Sequence, residues 1–253
     1  MMEPSAPPEY PGYDNKSQKI NTLFNKYEIS SLFREKLEKL QDFKIVFIID
    51  DSGSMNTPID DGGPHATRWE ELKDVVKTAI DIGSIYNTLD INFLNRDGLM
   101  NVSDFSQISY YFDSSPSGRT PLTKALNSVI QRYNNSNQPI LLVIATDGVP
   151  DNLESFKNTL LNKNHSKFFV SFLACSDNES EIGYLNELDN TIPNIDTLDD
   201  YLSEKKEVIN AQGNLFSYTY ADHIVRLLLG PICPELDKLD EKPKSTNKCC
   251  IIL

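Results

Sequence analysis

The sequence predicts an α/β fold: a three-layer, doubly wound, mostly parallel sheet with helices on both faces. Two observations lead there. Short strand-like runs, Lys44–Ile49 and Ile140–Thr146 foremost, alternate with segments of helical period, and strands separated by helices pair in parallel within a covered sheet. Those runs are also continuously apolar instead of alternating, as strands buried on both faces must be.

In chain order, residues 1–27 read as a disordered Pro-rich tail, because 1–20 are rich in Pro, Ser, Tyr and charge without periodicity. Ser30 or Ser31 caps a short helix ending near Leu40, with Leu32, Phe33, Leu37 and Leu40 as its apolar stripe. The strand at 44–49 follows. After a loop rich in Gly, Pro and Asp, Trp69, Leu72, Val75, Val76, Ala79 and Ile80 mark a core-facing helix. Ile91, Phe93 and Leu94 suggest a second strand, and a turn at Asp97-Gly98 leads to another at Leu99 to Val102. Thr120-Pro121 opens a helix bearing Leu122, Ala125, Leu126, Val129 and Ile130. Beyond the strand at 140–146 come a helix near 153–163, a strand near 168–174, and helices near 180–188, 203–211 and 218–229. From Pro231 onward Pro, Lys, Glu and Asp predict a flexible tail. The expected organisation is therefore tail 1–27, domain 28–230 and tail 231–253.

The bulk composition narrows the function. A chain of 253 residues suits one α/β domain with tails, and 39% hydrophobic residues can build a core. A net charge of −13 argues against sequence-independent nucleic-acid binding, which needs a basic face. The N-terminus lacks a basic region followed by an apolar one, so no secretory signal is expected. The Asn-x-Ser matches at Asn101, Asn164 and Asn178 are then chance, and the four cysteines are expected as thiols in a reducing compartment.

Functional groups of open α/β sheets gather beyond the carboxyl ends of central strands. The strand at 44–49 runs into Asp50-Asp51-Ser52-Gly53-Ser54, giving Asp-x-Ser-x-Ser; the strand at 140–146 runs into Asp147-Gly148. Between them, Gly118-Arg119-Thr120-Pro121 precedes a helix. Brought together, Asp50, Ser52, Ser54, Thr120 and Asp147 offer only oxygen atoms. Such a set suits Mg2+ or Mn2+ and not zinc or copper. Asp51 is an extra acid in the motif, read either as a reinforcement of cation binding or as a solvated turn residue.

In these residues the sequence resembles the von Willebrand A family over roughly residues 42–230. Its metal-ion-dependent adhesion site combines Asp-x-Ser-x-Ser, a Thr and an Asp in this order, and all five positions are filled here. The resemblance implies that Ser52, Ser54 and Thr120 bind the metal directly, with Asp50 and Asp147 acting largely through water. Three neutral hydroxyls leave the ion electron-poor and ready to accept a carboxylate from a protein partner. Phe47 through Met55, Arg68-Trp69-Glu70 and Ala145 through Pro150 also look like the cytosolic A-domain proteins of fungi, amoebae and giant viruses.

Both tails carry motifs. Cys250-Ile251-Ile252-Leu253 is a C-a-a-X box whose final Leu favours geranylgeranyl, and Cys249 is a candidate for a second acyl chain. These place the protein on the cytosolic face of membranes. The segment Pro4-Ser5-Ala6-Pro7-Pro8-Glu9-Tyr10 overlaps Pro-Ser-Ala-Pro with Pro-Pro-x-Tyr, which resembles late-domain signals that recruit ESCRT and WW-domain proteins.

The expected function is that of a lipidated, metal-dependent protein-binding adaptor and not an enzyme. One rival is a Mg2+-dependent phosphohydrolase with Asp50 as nucleophile. It requires a second Asp where Ser52 stands, its lysine is not evident, and no phosphate loop appears. His65, His165 and His223 are scattered, outside any nucleophile motif. The other rival is a structural, membrane-associated component, viral or cellular.

Overall fold

The computed structural model describes residues 11–59, 65–176 and 178–240. Helices α1 (Pro11–Lys26) and α2 (Ser31–Arg34) precede strand β1 (Lys44–Ile49), followed by α3 (Arg68–Gly83), β2 (Leu89–Phe93) and β3 (Leu99–Val102). Then come α4 (Ser109–Phe112), α5 (Leu122–Tyr133), β4 (Ile140–Thr146), α6 (Leu153–Asn162), β5 (Phe168–Ala174) and α7 (Glu179–Thr191). Strand β6 (Ile195–Leu198) and helices α8 (Tyr201–Gln212), α9 (Tyr220–Leu229) and α10 (Pro234–Asp237) complete the described chain.

The sheet order is β3-β2-β1-β4-β5-β6, parallel except for β3 against β2. The fold is thus the doubly wound, mostly parallel α/β architecture that the alternation predicts. Side-chain alternation along each strand divides the core in two. Ile45, Phe47 and Ile49 of β1, with Leu141, Val143 and Ala145 of β4, meet α3 and α9 residues on one face. Val46, Ile48, Ile140, Leu142 and Ile144 meet α5, α6 and α7 residues on the other. Both central strands are therefore buried on either side, as their unbroken apolar runs require.

Helix α9 is buried all round, from Ala221 to Leu229. The core on this face extends into both expected tails. Within the expected tail 1–27, α1 buries Leu23 and Phe24, and Arg34 lies 5.1 Å above the Phe24 ring. Ile20, Leu23 and Phe24 form an i, i+3, i+4 stripe too short to stand out in a polar segment. The expected tail from Pro231 is likewise corrected. Cys233, Leu236 and Leu239 recur every third residue and are buried in the core. The C-terminal extension packs on α9, whereas α1 is tied to α3 through Lys26 and Tyr27, which both reach Asp81 Oδ2.

Strand β6, absent from the sequence reading, is short and half polar. It is recognised only by pairing with β5, and its Asp196 is buried beneath Gly230, where a Cβ would come within 1.9 Å of the carboxylate. The helix expected through Leu40 is split into α2 and a 3-10 segment, Leu37–Asp42, leaving Leu32 at the surface. Cys175 and Cys233 are free thiols, the former half-buried. Among the described residues no helix is long and apolar enough to cross a membrane.

Candidate metal centre

From β1 the chain crosses to β2 on one side, and it later returns as β4 on the other. This reversal opens a crevice at the carboxyl ends of β1 and β4. The register Ile49 opposite Ala145 brings the next residues, Asp50 and Thr146, side by side, and the Asp50 N–H donates to Ala145 O at 3.0 Å. Residues almost a hundred positions apart thus become neighbours.

Asp50 is fully buried. Its Oδ1 accepts from the Ser52 N–H at 2.9 Å and its Oδ2 from the Thr146 hydroxyl at 2.7 Å. Burial pushes its carboxyl up to about 6, although the hydrogen bonds from Ser52 and Thr146 pull the other way. Ser52 leads in extended conformation into a 3-10 turn, Gly53–Asn56, which sets its hydroxyl 3.0 Å from that of Ser54. The Ser54 hydroxyl donates to Asp147 Oδ1 at 2.8 Å. Ser52, Ser54 and Asp147 therefore form one continuous polar chain across the crevice, and Ser54 is its exposed member.

The third loop is secured through its backbone. Gly118 O accepts from the Gly53 N–H at 3.2 Å, and Thr120 O accepts from the Asp151 N–H at 3.2 Å. Half-buried Thr120 consequently sits between the loops that follow β1 and β4. The five sequence-derived residues all lie at this one end of the sheet.

Asp51 is not the solvated turn residue that one of its two expected readings makes it. It is fully buried, its Oδ2 lies 3.2 Å from Arg96 Nε, and its Oδ1 accepts from the Asn95 N–H and side-chain amide at 2.8 and 3.1 Å. Its partners, Asn95 and Arg96, follow the end of β2.

Arg68, part of the Arg68-Trp69-Glu70 string but not of the expected metal set, also enters the site. The Thr67 side chain caps α3, and the first residue of that helix, Arg68, reaches Asp147 Oδ2 at 2.8 Å. Its other nitrogen donates to the Ser176 hydroxyl at 2.9 Å and lies 3.5 Å from Glu181. Asp147 thus divides its oxygens, one toward Ser54 and one toward a guanidinium.

The donor set decides what this place can hold. Among the described residues, no group of three or more His, Cys, Asp or Glu side chains is placed to hold a metal ion. The convergent groups are hydroxyls backed by carboxylates, a set that fits a hard divalent cation retaining part of its water. His165 belongs elsewhere: it takes a hydrogen bond with Lys163 at 2.8 Å and another with Leu161 O at 3.1 Å. His223 is buried among Tyr201, Tyr218 and Tyr220.

No known family model matches the sequence, and no curated protein matches it. Among solved structures, the manganese-loaded TRAP protein of Plasmodium vivax is similar, with a TM-score of 0.45 and 17% identity over 65% of this chain and 72% of that one. The PilB minor pilin of Streptococcus sanguinis is similar with a TM-score of 0.46 and 12% identity, over 78% of this chain and 62% of its own. At such distance the likeness concerns the course of the backbone, and the fold assignment rests on the strand order and register described above.

Proposed function

We propose that this chain is a protein-binding module of von Willebrand A type that works through one Mg2+ or Mn2+ ion. Ser52, Ser54 and Thr120 are the direct ligands, with Asp50 and Asp147 as supporting carboxylates. The observation that carries the reading is the polar chain Ser52–Ser54–Asp147 across the ends of β1 and β4. A bound ion would supply a Lewis-acidic position for a carboxylate of the partner protein. The residues of this chain hold and orient that position: Asp50 ties the β1 loop to β4, and Asp147 restrains the Ser54 hydroxyl. Calorimetric titration of Mg2+ and Mn2+ into the wild type and into Asp50→Ala tests it. Saturable binding that the substitution abolishes is expected; identical titrations would remove the metal claim.

The phosphohydrolase alternative has less support. A nucleophilic Asp50 must present a free carboxylate oxygen, whereas both of its oxygens accept hydrogen bonds and neither is at the surface. Metal-dependent turnover in a phosphatase and nucleotidase screen would favour the enzyme.

The adaptor part of the reading rests on the sequence motifs Cys249-Cys250 and Pro4 to Tyr10, which lie outside the described residues. In it, Cys250 carries a prenyl group to the cytosolic face of a membrane, and the N-terminal motif recruits ESCRT or WW-domain proteins. Membrane fractionation of the wild type against Cys250→Ser tests the anchor. Equal membrane association of both proteins removes it.

A further inference from the structure

Three loops must converge to make the centre proposed above, and the one bearing Thr120 belongs to no central strand. What holds it is a set of side chains outside the five-residue motif, buried Asp51 with half-buried Arg96 and exposed Asn95. Asp51 O accepts from the Ser117 N–H at 2.9 Å. The Asn95 side-chain amide bridges the Asp51 carboxylate and Arg119 O, the latter at 2.8 Å. Arg96, paired with the same carboxylate, donates to Tyr111 O, to Ser115 O at 2.7 Å and to Ser114 O at 3.3 Å, and lies 5.2 Å from the Trp69 ring centre. Gly118 completes the fit. Its φ is +111°, and a Cβ there would meet the Asn95 side-chain oxygen at 2.4 Å.

We infer that Asp51, Asn95 and Arg96 form a clamp that positions Thr120 toward the metal, so that Asp51 is a positioning residue. This rests on the metal-site reading of the preceding section. The geometry separates it from the view that Asp51 attracts the cation by its charge. A carboxylate hydrogen-bonded at Oδ1 by Asn95 and charge-paired at Oδ2 with Arg96 projects little net field toward the serines. Its hold on residues 114–119, by contrast, runs through Asn95, which donates to Arg119 O, and Arg96, which donates to Ser114 O and Ser115 O.

The test is a double-mutant cycle on the full chain, with Mg2+ as the titrant. If Asp51 works through Thr120, Asp51→Asn weakens binding about 10- to 100-fold, as removal of outer-shell partners does elsewhere. The Asp51→Asn/Thr120→Ala double variant then binds within about twofold of Thr120→Ala alone, because a lost ligand has nothing left to be positioned. Unchanged affinity in Asp51→Asn, or losses that multiply in the double variant, would overturn the proposal. Amide hydrogen exchange without metal gives the second arm. Residues 114–120 exchange at least tenfold faster in Asp51→Asn while β4 and α5 keep their protection, and equal rates in that loop overturn the clamp. Should Asp51→Asn fail to fold, Asn95→Ala leaves the Asp51–Arg96 pair intact and is put through the same cycle and exchange measurement. A wild type that binds no Mg2+ refutes the metal reading, while exchange still decides whether the clamp exists.

Discussion

Arg68 offers the sharpest test of how the centre balances charge. Its side chain is 12% exposed and pairs at 2.8 Å with an Asp147 side chain that has no exposure. Arg68→Met keeps the aliphatic stem and removes the charge. Breaking a buried pair from one side costs about 3–5 kcal/mol, because the remaining ion loses its counter-charge where little water reaches it. At about 2–4 °C per kcal/mol for a domain of this size, the thermal midpoint should fall by roughly 6–20 °C in EDTA. A divalent ion beside Asp147 supplies the missing positive charge and no longer meets a repelling guanidinium. The variant therefore gains more from Mg2+ than the wild type does, and each tenfold increase in its relative affinity returns about 1.4 kcal/mol. Thermal denaturation of both proteins in EDTA and in saturating Mg2+ reads the effect directly. A gap between wild type and variant that is the same in both conditions would refute this account of Asp147.

Two further outcomes follow from backbone and burial. Gly118→Ala places a side chain at φ +111° against Asn95, so it should cost about 1–3 kcal/mol in strain and weaken Mg2+ binding. Gly148→Ala, where a Cβ meets open space, should leave both unchanged; calorimetry and melting of the pair check this. Burial holds His223 neutral, depressing it to about 3, while the unfolded chain binds a proton near 6.5. Its contribution to stability is thus present above the unfolded value and is lost as pH falls from 6.5 toward 3, by about 1.4 kcal/mol per pH unit. Urea denaturation at pH 7 and pH 5 should show a smaller acid loss for His223→Gln than for the wild type, and equal losses would contradict it.

Much of the centre was legible because its chemistry is carried by local strings at strand ends. Asp50 through Ser54 and Thr146-Asp147 could be placed from hydrophobic runs that stop abruptly at polar residues. The partners of those residues were not legible. Arg68 lies 79 positions before Asp147, and Asn95 lies 44 after Asp51; nothing in spacing joins them. The role of Asp51 was open for the same reason, since a carboxylate in a turn looks alike whether it faces solvent or a buried guanidinium.

By itself the sequence determined the alternation of strands and helices, the double burial of β1 and β4, and the acid-and-hydroxyl character of the loops that follow them. These depend on near neighbours in the chain, through side-chain periodicity and burial. Only the tertiary structure decided that α1 and the residues after Gly230 reach the core, that Ile195–Leu198 is a strand, and that Asp51 is joined to the loop before Thr120. Each of those depends on a surface assembled from distant segments. An apolar helix such as α9 recruits whatever short stripes can cover it, and a buried charge takes the partner that folding brings within reach.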